Sequence, residues 1–386
     1  MKDVPTKVTS DVFERIKDKV TKEYQNFQFA HPYQHAFYGG DLCVESLKWS
    51  MEDKMGALAN VSLEDVQYFA KRLLSRFKAE MLIHGNVSVD EATTIAQTLT
   101  DGLQPCTPFP SSHSNIRVTQ LEASQDYVYR FAEFNEGNTN SCMKVLYQMG
   151  PMELPENACL SLMHHLMKEP AFNELRTEEQ LGYIVHTAVK TSGDNIKGLL
   201  FLIQSDGFDP IHLDERLEAF LGRFRSTLYA MTPEQFESNV NAVVKMLTEK
   251  NKNMGEESAK YWQVVANQSY IFRKFALIGE EVSKITKNMA LRFFDKYLAK
   301  NAPKRRKLSV QVFASPHMER IGEGVNGTAP VSETNTEDVE KEEEKKIDSS
   351  DSVVFIENPV EFKRQMPLFP LSKSVDVNEM AVELPN

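Results

Sequence analysis

The chain has 386 residues, long enough for two domains with full cores. Hydrophobic residues at 41%, charged residues at 26% and 23 Phe exclude a wholly disordered chain, and no stretch approaches the ~20 uninterrupted apolar residues of a membrane span. The net charge is −11; residues 331–352, with nine acidic and three basic side chains, carry −6 of it, and the remaining −5 lacks the basic excess that nucleic-acid binding requires.

Met1 to Pro5 has no apolar core of a signal peptide, so a cytoplasmic protein is expected. Cys43, Cys106, Cys142 and Cys159 show no Cys-x-x-Cys spacing and read as free thiols. Phe13, Ile16, Val20 and Tyr24 mark one face of a helix over 11–28, and a second helix is expected over 33–53. His31 and His35 stand four apart, a spacing open to metal binding, yet Pro32 intervenes and no third ligand follows, which favours packing roles. Ser62-Leu63-Glu64-Asp65 opens a helix through Phe77, Ala79 to His84 reads as an apolar strand, Gly85-Asn86 turns the chain, and a further helix runs to about Leu99. Residues 1–104 thus read as the end portion of a domain, and 105–115, with Pro105, Pro108 and Pro110, as a linker.

Beyond the linker the pattern changes. Strands are expected over 116–121, 127–134 and 141–149, helices over 155–168 and 171–181, and strands over 183–190 and 196–205 joined by a turn at Asp194-Asn195. Helices follow over 211–230, 232–250, 257–279 and 281–300, then a strand from Lys307 to Ala314. This order predicts an α+β sandwich over 116–317, with helices layered on one face of a mainly antiparallel sheet. The basic run Pro303 to Lys307 reads as a solvated turn rather than a nuclear localisation signal. Residues 318–352 read as a disordered acidic linker, and 353–386 as a tail that docks back on the body.

The stretch Glu169 to Val185 reads as a helix that stops and becomes a strand, with Pro170 in a first turn and Gly182 as the left-handed residue past the helix end. Arg176 and Tyr183 then overlook one corner, where five guanidinium donors and a phenol suit a peptide carbonyl or an oxyanion. The same spacing also allows Arg176 to pair with Glu178 or Glu179 and Tyr183 to be a strand-edge aromatic. Phe172 offers apolar surface either to a pocket or to the core.

Pro170 to Val185 resembles the segment of insulin-degrading enzyme (insulysin) and its pitrilysin-type, inverted-zincin metallopeptidase relatives in which an arginine and, seven positions on, a tyrosine reach toward the scissile bond. Pro32 to Tyr38, Leu74-Ser75-Arg76, Ile83 to Asn86, Ser258 to Trp262 and Glu361 to Leu371 resemble the same family in the same order, so nearly the whole chain is covered. The resemblance implies the C-terminal, non-zinc half of an insulysin-type metalloendopeptidase, with 1–104 as the end of its third domain and 116–317 as its fourth. It implies Arg176 and Tyr183 as catalytic residues, Phe172 as substrate-binding, and short peptides as substrates. The inverted zinc motif His-x-x-Glu-His is absent, and His164 to Glu169 does not place two nitrogen ligands and a base on one helix face. No metal site is therefore expected in this chain, zinc is expected in a complementary N-terminal half, and the chain alone is expected to be inactive. Expected partners are that half or a full-length relative, or a second copy, with neither nucleic acid nor membrane. The alternative is a non-catalytic peptide-binding or dimerising paralogue.

Overall fold

The computed structural model describes residues 8–75, 79–102, 116–267, 269–324 and 353–371. The linker at 105–115, Cys106 and all of the acidic segment beyond residue 324 up to residue 352 lie outside the described residues.

The amino-terminal part is helical: α1 (Ser10–Asn26), α2 (Pro32–Val44), α3 (Met51–Asn60), α4 (Leu63–Ser75) and α5 (Val89–Gly102). The helix expected over 33–53 is two helices. Ser50 and Asp53 form a reciprocal capping box that starts α3 afresh, and between the helices Glu45 bridges to Val118. The strand expected at Ala79 to His84 is irregular. It has no ladder partner among the described residues and is tied by side chains instead, with Tyr270 donating to Glu80 at 2.6 Å and His84 bonded to Ser258 at 2.7 Å.

The body contains β1 (Gln125–Ala132), β2 (Ser141–Gly150), α6 (Leu154–Ala171), a π-helical turn (Phe172–Glu178), β3 (Ile184–Ser192) and β4 (Ile196–Ser205). Then come α7 (Pro210–Ala230), α8 (Pro233–Thr248), α9 (Met254–Ala266), α10 (Lys274–Val282), α11 (Lys287–Tyr297) and β5 (Arg306–Phe313). Asp209 caps α7 by accepting from the amides of Ile211 and His212, and Thr232 with Gln235 boxes α8. The helix expected over 257–279 is broken into α9 and α10, because Tyr270 takes a left-handed φ of 49° between them.

The six strands lie in the order β3-β4-β2-β5-β1-β6, where β6 (Val353–Ile356) comes from the tail. The β3–β4, β4–β2 and β2–β5 pairs are antiparallel, but β1 runs parallel to both β5 and β6, so the sheet is mixed. β2 and β4 are buried along their whole length, and alternate residues feed two cores. Met143, Val145, Tyr147, Leu199, Phe201 and Ile203 face α6, α7 and α11. Cys142, Leu146, Leu200 and Leu202 face the other side, where α2 and Phe369 of the tail cover the sheet. Helices therefore cover both faces of the sheet, not one, since α2 and α12 (Pro359–Gln365) lie opposite the main helical layer.

The run Pro303 to Lys307 is a solvated turn only at Pro303 and Lys304, which are exposed; beyond them the basic side chains turn inward. Arg305 and Lys307 are 2% and 6% exposed. Arg305 donates to Glu218 at 2.7 Å and lies over the Tyr147 ring, while Lys307 pairs with Asp214 at 2.6 Å and with Glu218 at 2.8 Å. Burial alone would raise the Glu218 carboxyl, but Lys307 and Arg305 overcome it and hold the group down to about 2. With its folded value below the ordinary ~4.3, Glu218 stabilises the fold fully above about pH 4.3 and loses that contribution as pH falls toward 2. Glu218→Gln should therefore flatten the loss of thermal stability between pH 4.3 and 2; an unchanged slope would show that other carboxylates govern acid unfolding.

Candidate functional site

Helix α6 runs through Pro170 instead of starting after it. Pro170 has no amide to offer the Leu166 carbonyl, and directly beyond it the helix widens into the π turn. There the Glu179 amide reaches the Glu174 carbonyl at 2.9 Å and the Leu181 amide reaches that of Leu175 at 3.0 Å. Buried Leu175 and Leu181 pin the turn from below, while Phe172, Arg176 and Tyr183 come together above it. The Arg176 guanidinium carbon lies 4.8 Å from the Phe172 ring centre and 5.2 Å from that of Tyr183. Phe172 is 41% and Tyr183 82% exposed, so neither ring belongs to the core.

The left-handed residue at this corner is Gln180, with φ 51°, and not Gly182. Gly182 is required for another reason: a Cβ there would stand 2.1 Å from the Gln204 carbonyl oxygen of the neighbouring strand. Gly182→Ala should cost about 1–3 kcal/mol through the forced backbone shift. Gly182→Asn, which a left-handed site would tolerate, should cost at least as much by urea unfolding; a tolerated Asn would restore the helix-cap account.

Arg176 pairs with neither Glu178 nor Glu179. Glu179 takes a two-point bond from Arg216, both contacts at 2.7 Å, and a further one from Arg223 at 3.0 Å; Arg223 also binds Glu174. The hydrogen bond from Arg216 lowers the Glu179 carboxyl below its ordinary value. Among the described residues Arg176 has no carboxylate partner, and its guanidinium lies over both rings.

Two hollows flank the start of β3. One of about 520 Å³ is lined by Arg176, Tyr183, His186, Tyr33 and Phe37. The other, of about 840 Å³, is lined by Phe172, Glu169, His165 and Met231, and the two share Val185 and His186. Tyr33 and Phe37 are lining residues that sequence reading did not single out. They arrive from α2, where the Tyr33 amide donates to the Gln204 side chain at 3.1 Å. Their only signal was their place in the Pro32 to Tyr38 motif. β3 is one of the sheet's two outer strands, and its Val185 and His186 line both hollows.

Other candidates resolve as packing. His35 is buried between Glu133 at 3.0 Å and the Phe27 carbonyl at 2.8 Å, and His31 stacks on Tyr33. His164 bonds to the Thr187 carbonyl at 3.0 Å, and burial lowers its pKa. Cys43, Cys142 and Cys159 are buried thiols. Among the described residues no three His, Cys, Asp or Glu side chains come together as metal ligands, and no helix is long and apolar enough to cross a membrane.

Residues 1–57 match the family model for the middle or third domain of peptidase M16, and residues 162–262 match that for the C-terminal lobe domain 4 of the PQQ synthase PqqF-like proteins. The chain is 36% identical to insulin-degrading enzyme-like 1, peroxisomal, of Arabidopsis thaliana, over 81% of this chain and 33% of that protein. It is 33% identical to the insulin-degrading enzyme of Homo sapiens, over 96% of this chain and 35% of that protein. The structure superposes on the crystal structure of pitrilysin with a TM-score of 0.73 at 22% identity, covering 95% of this chain and 35% of that one, a likeness of fold. The chain spans about a third of the length of the relatives it matches.

Proposed function

From the premise that this chain belongs to the insulin-degrading enzyme family, in its C-terminal part, we propose that it supplies the peptide-holding, oxyanion-stabilising wall of a zinc metalloendopeptidase. The carrying observation is the Arg176 guanidinium, held between Phe172 and Tyr183 at the mouth of a cleft and, among the described residues, without a carboxylate partner. In this reading Arg176 and the Tyr183 hydroxyl donate to the scissile carbonyl oxygen as negative charge develops on it, and Phe172 forms a wall for a neighbouring side chain. In this reading the metal and the water it activates belong to a separate half.

Exposed apolar faces support such a partner. Tyr68, Phe69 and Leu73 on α4 are each more than half exposed, and Val89, Ile95 and Leu99 on α5 are also exposed. The reading places the protein in the cytoplasm, where its buried cysteines stay reduced.

Cleavage of an internally quenched peptide tests the proposal, first with this chain alone and then after mixing with a zinc-bearing amino-terminal half from a relative. Activity should appear only in the mixture and vanish with a chelator. Saturable peptide binding with no cleavage in either case would overturn the catalytic reading in favour of a binding paralogue.

A further inference from the structure

At the opposite end of β3 from Arg176, eight residues or about 26 Å along the strand from Tyr183, a cavity of about 230 Å³ lies between α6, α9, α10 and the β3–β4 hairpin. Two lysines meet there. Lys197, on β4, is 7% exposed and donates to the Thr191 hydroxyl at 2.7 Å. Lys274, which opens α10, is half-buried and donates to the Asn195 side-chain oxygen at 3.3 Å. Both of these partners are neutral, and among the described residues no carboxylate lines the cavity.

We propose that this cavity binds an oxyanion, a phosphate or carboxylate group, between the ammonium groups of Lys197 and Lys274. Keeping both lysines protonated in one buried space without an acid costs the folded chain stability, and an anion between them removes that cost. Burial, with the Lys274 charge added to it, holds Lys197 down to about 7, and burial lowers Lys274 as well. The first turn of α10 adds to the same field, for it has neither a side-chain cap nor an acidic residue. Hydroxyl and amide groups of Ser161 and Gln263 complete a polar wall, while Phe275 and Ile278 form an apolar one suited to the organic part of a ligand. Buried Lys307 and Arg305 each have an acid within 3.3 Å, and buried Lys144 lies against the Phe37 ring. Among the described residues Lys197 and Lys274 are two buried or half-buried lysines that line one cavity with no ion-pair partner. The proposal is independent of the peptidase reading, since it concerns a different end of the strand and needs no partner half.

Calorimetric titration of the full chain with inorganic phosphate, and separately with acetate, at ionic strength fixed with chloride, tests it. One saturable site is expected for at least one of them, weakened at least tenfold by Lys197→Gln and by Lys274→Gln and unchanged by Lys284→Gln, which removes only an exposed pair with Glu281. Binding of phosphate alone assigns a phosphate ligand, and binding of acetate alone assigns a carboxylate. Absence of saturable binding by both anions, or full affinity in both lysine variants, overturns the proposal. Lys274→Gln, at the more open rim, carries the test if Lys197→Gln does not fold.

Discussion

Replacing His35 with alanine should cost the folded chain about 3–5 kcal/mol, the largest stability effect expected of any single substitution outside the hydrophobic cores. His35 is 0% and Glu133 5% exposed, and the two are joined at 3.0 Å. Nε2 of the same ring lies 2.8 Å from the Phe27 carbonyl, so one imidazole links the end of α1, the body of α2 and the strand-end residue Glu133. Phe27 and Phe134 close over it edge-on. Without the ring, Glu133 keeps among the described residues only the Asn135 amide at 3.3 Å, and a buried carboxylate with one weak donor is far from satisfied. Urea unfolding followed by circular dichroism measures the loss. Glu133→Leu added to His35→Leu should recover most of it, because the uncompensated charge goes with the second change. If the two single substitutions proved additive, or if His35→Ala shifted stability by less than about 1 kcal/mol, the pair would not be what fixes α2 to the sheet.

What could be read from the sequence and what could not divide along a physical line. β2 and β4 were legible as strands over 141–149 and 196–205, and the structure buries both of their faces, while the start of α8 at Thr232 is set by a local capping signal. Arg176, Tyr183 and Phe172 were nominated together, and the structure does bring them together. The geometry that joins them was hidden. A π turn is a choice between i+4 and i+5 bonding that composition does not encode, and the need for glycine at 182 arises from Gln204, 22 residues further on. The basic run at Pro303 to Lys307 misled for the same reason: its counter-charges Asp126, Asp214 and Glu218 lie some 90 to 180 positions away, beyond the reach of local patterning. Ala79 to His84 had the composition of a strand, but a strand also needs an edge to pair with, and among the described residues it finds none.

In an enzyme reconstituted with a zinc-bearing half, Arg176→Ala should lower kcat/KM roughly 100- to 1000-fold, equivalent to about 2.7–4 kcal/mol of transition-state stabilisation. The chain's own stability should move by no more than about 0.5 kcal/mol, because Arg176 is partly exposed and makes, among the described residues, no ion pair whose loss would strand a charge. That separation is what distinguishes a donor aimed at substrate from a structural arginine. If the donors act only as charge develops on the carbonyl oxygen, the loss falls on kcat with KM little changed. Arg176→Lys should not rescue, since a single ammonium cannot stack between Phe172 and Tyr183 and present a planar fork at once. Tyr183→Phe is the sharper companion. It keeps the ring against the guanidinium and removes only the hydroxyl, so a substantial fall in kcat would assign the hydroxyl a direct bond to the reacting group. Tyr183→Phe at parental kcat, with Tyr183→Ala impaired, would instead make the ring a support that orients Arg176, and Arg176→Ala within about twofold of the parent would remove the corner from the chemistry altogether.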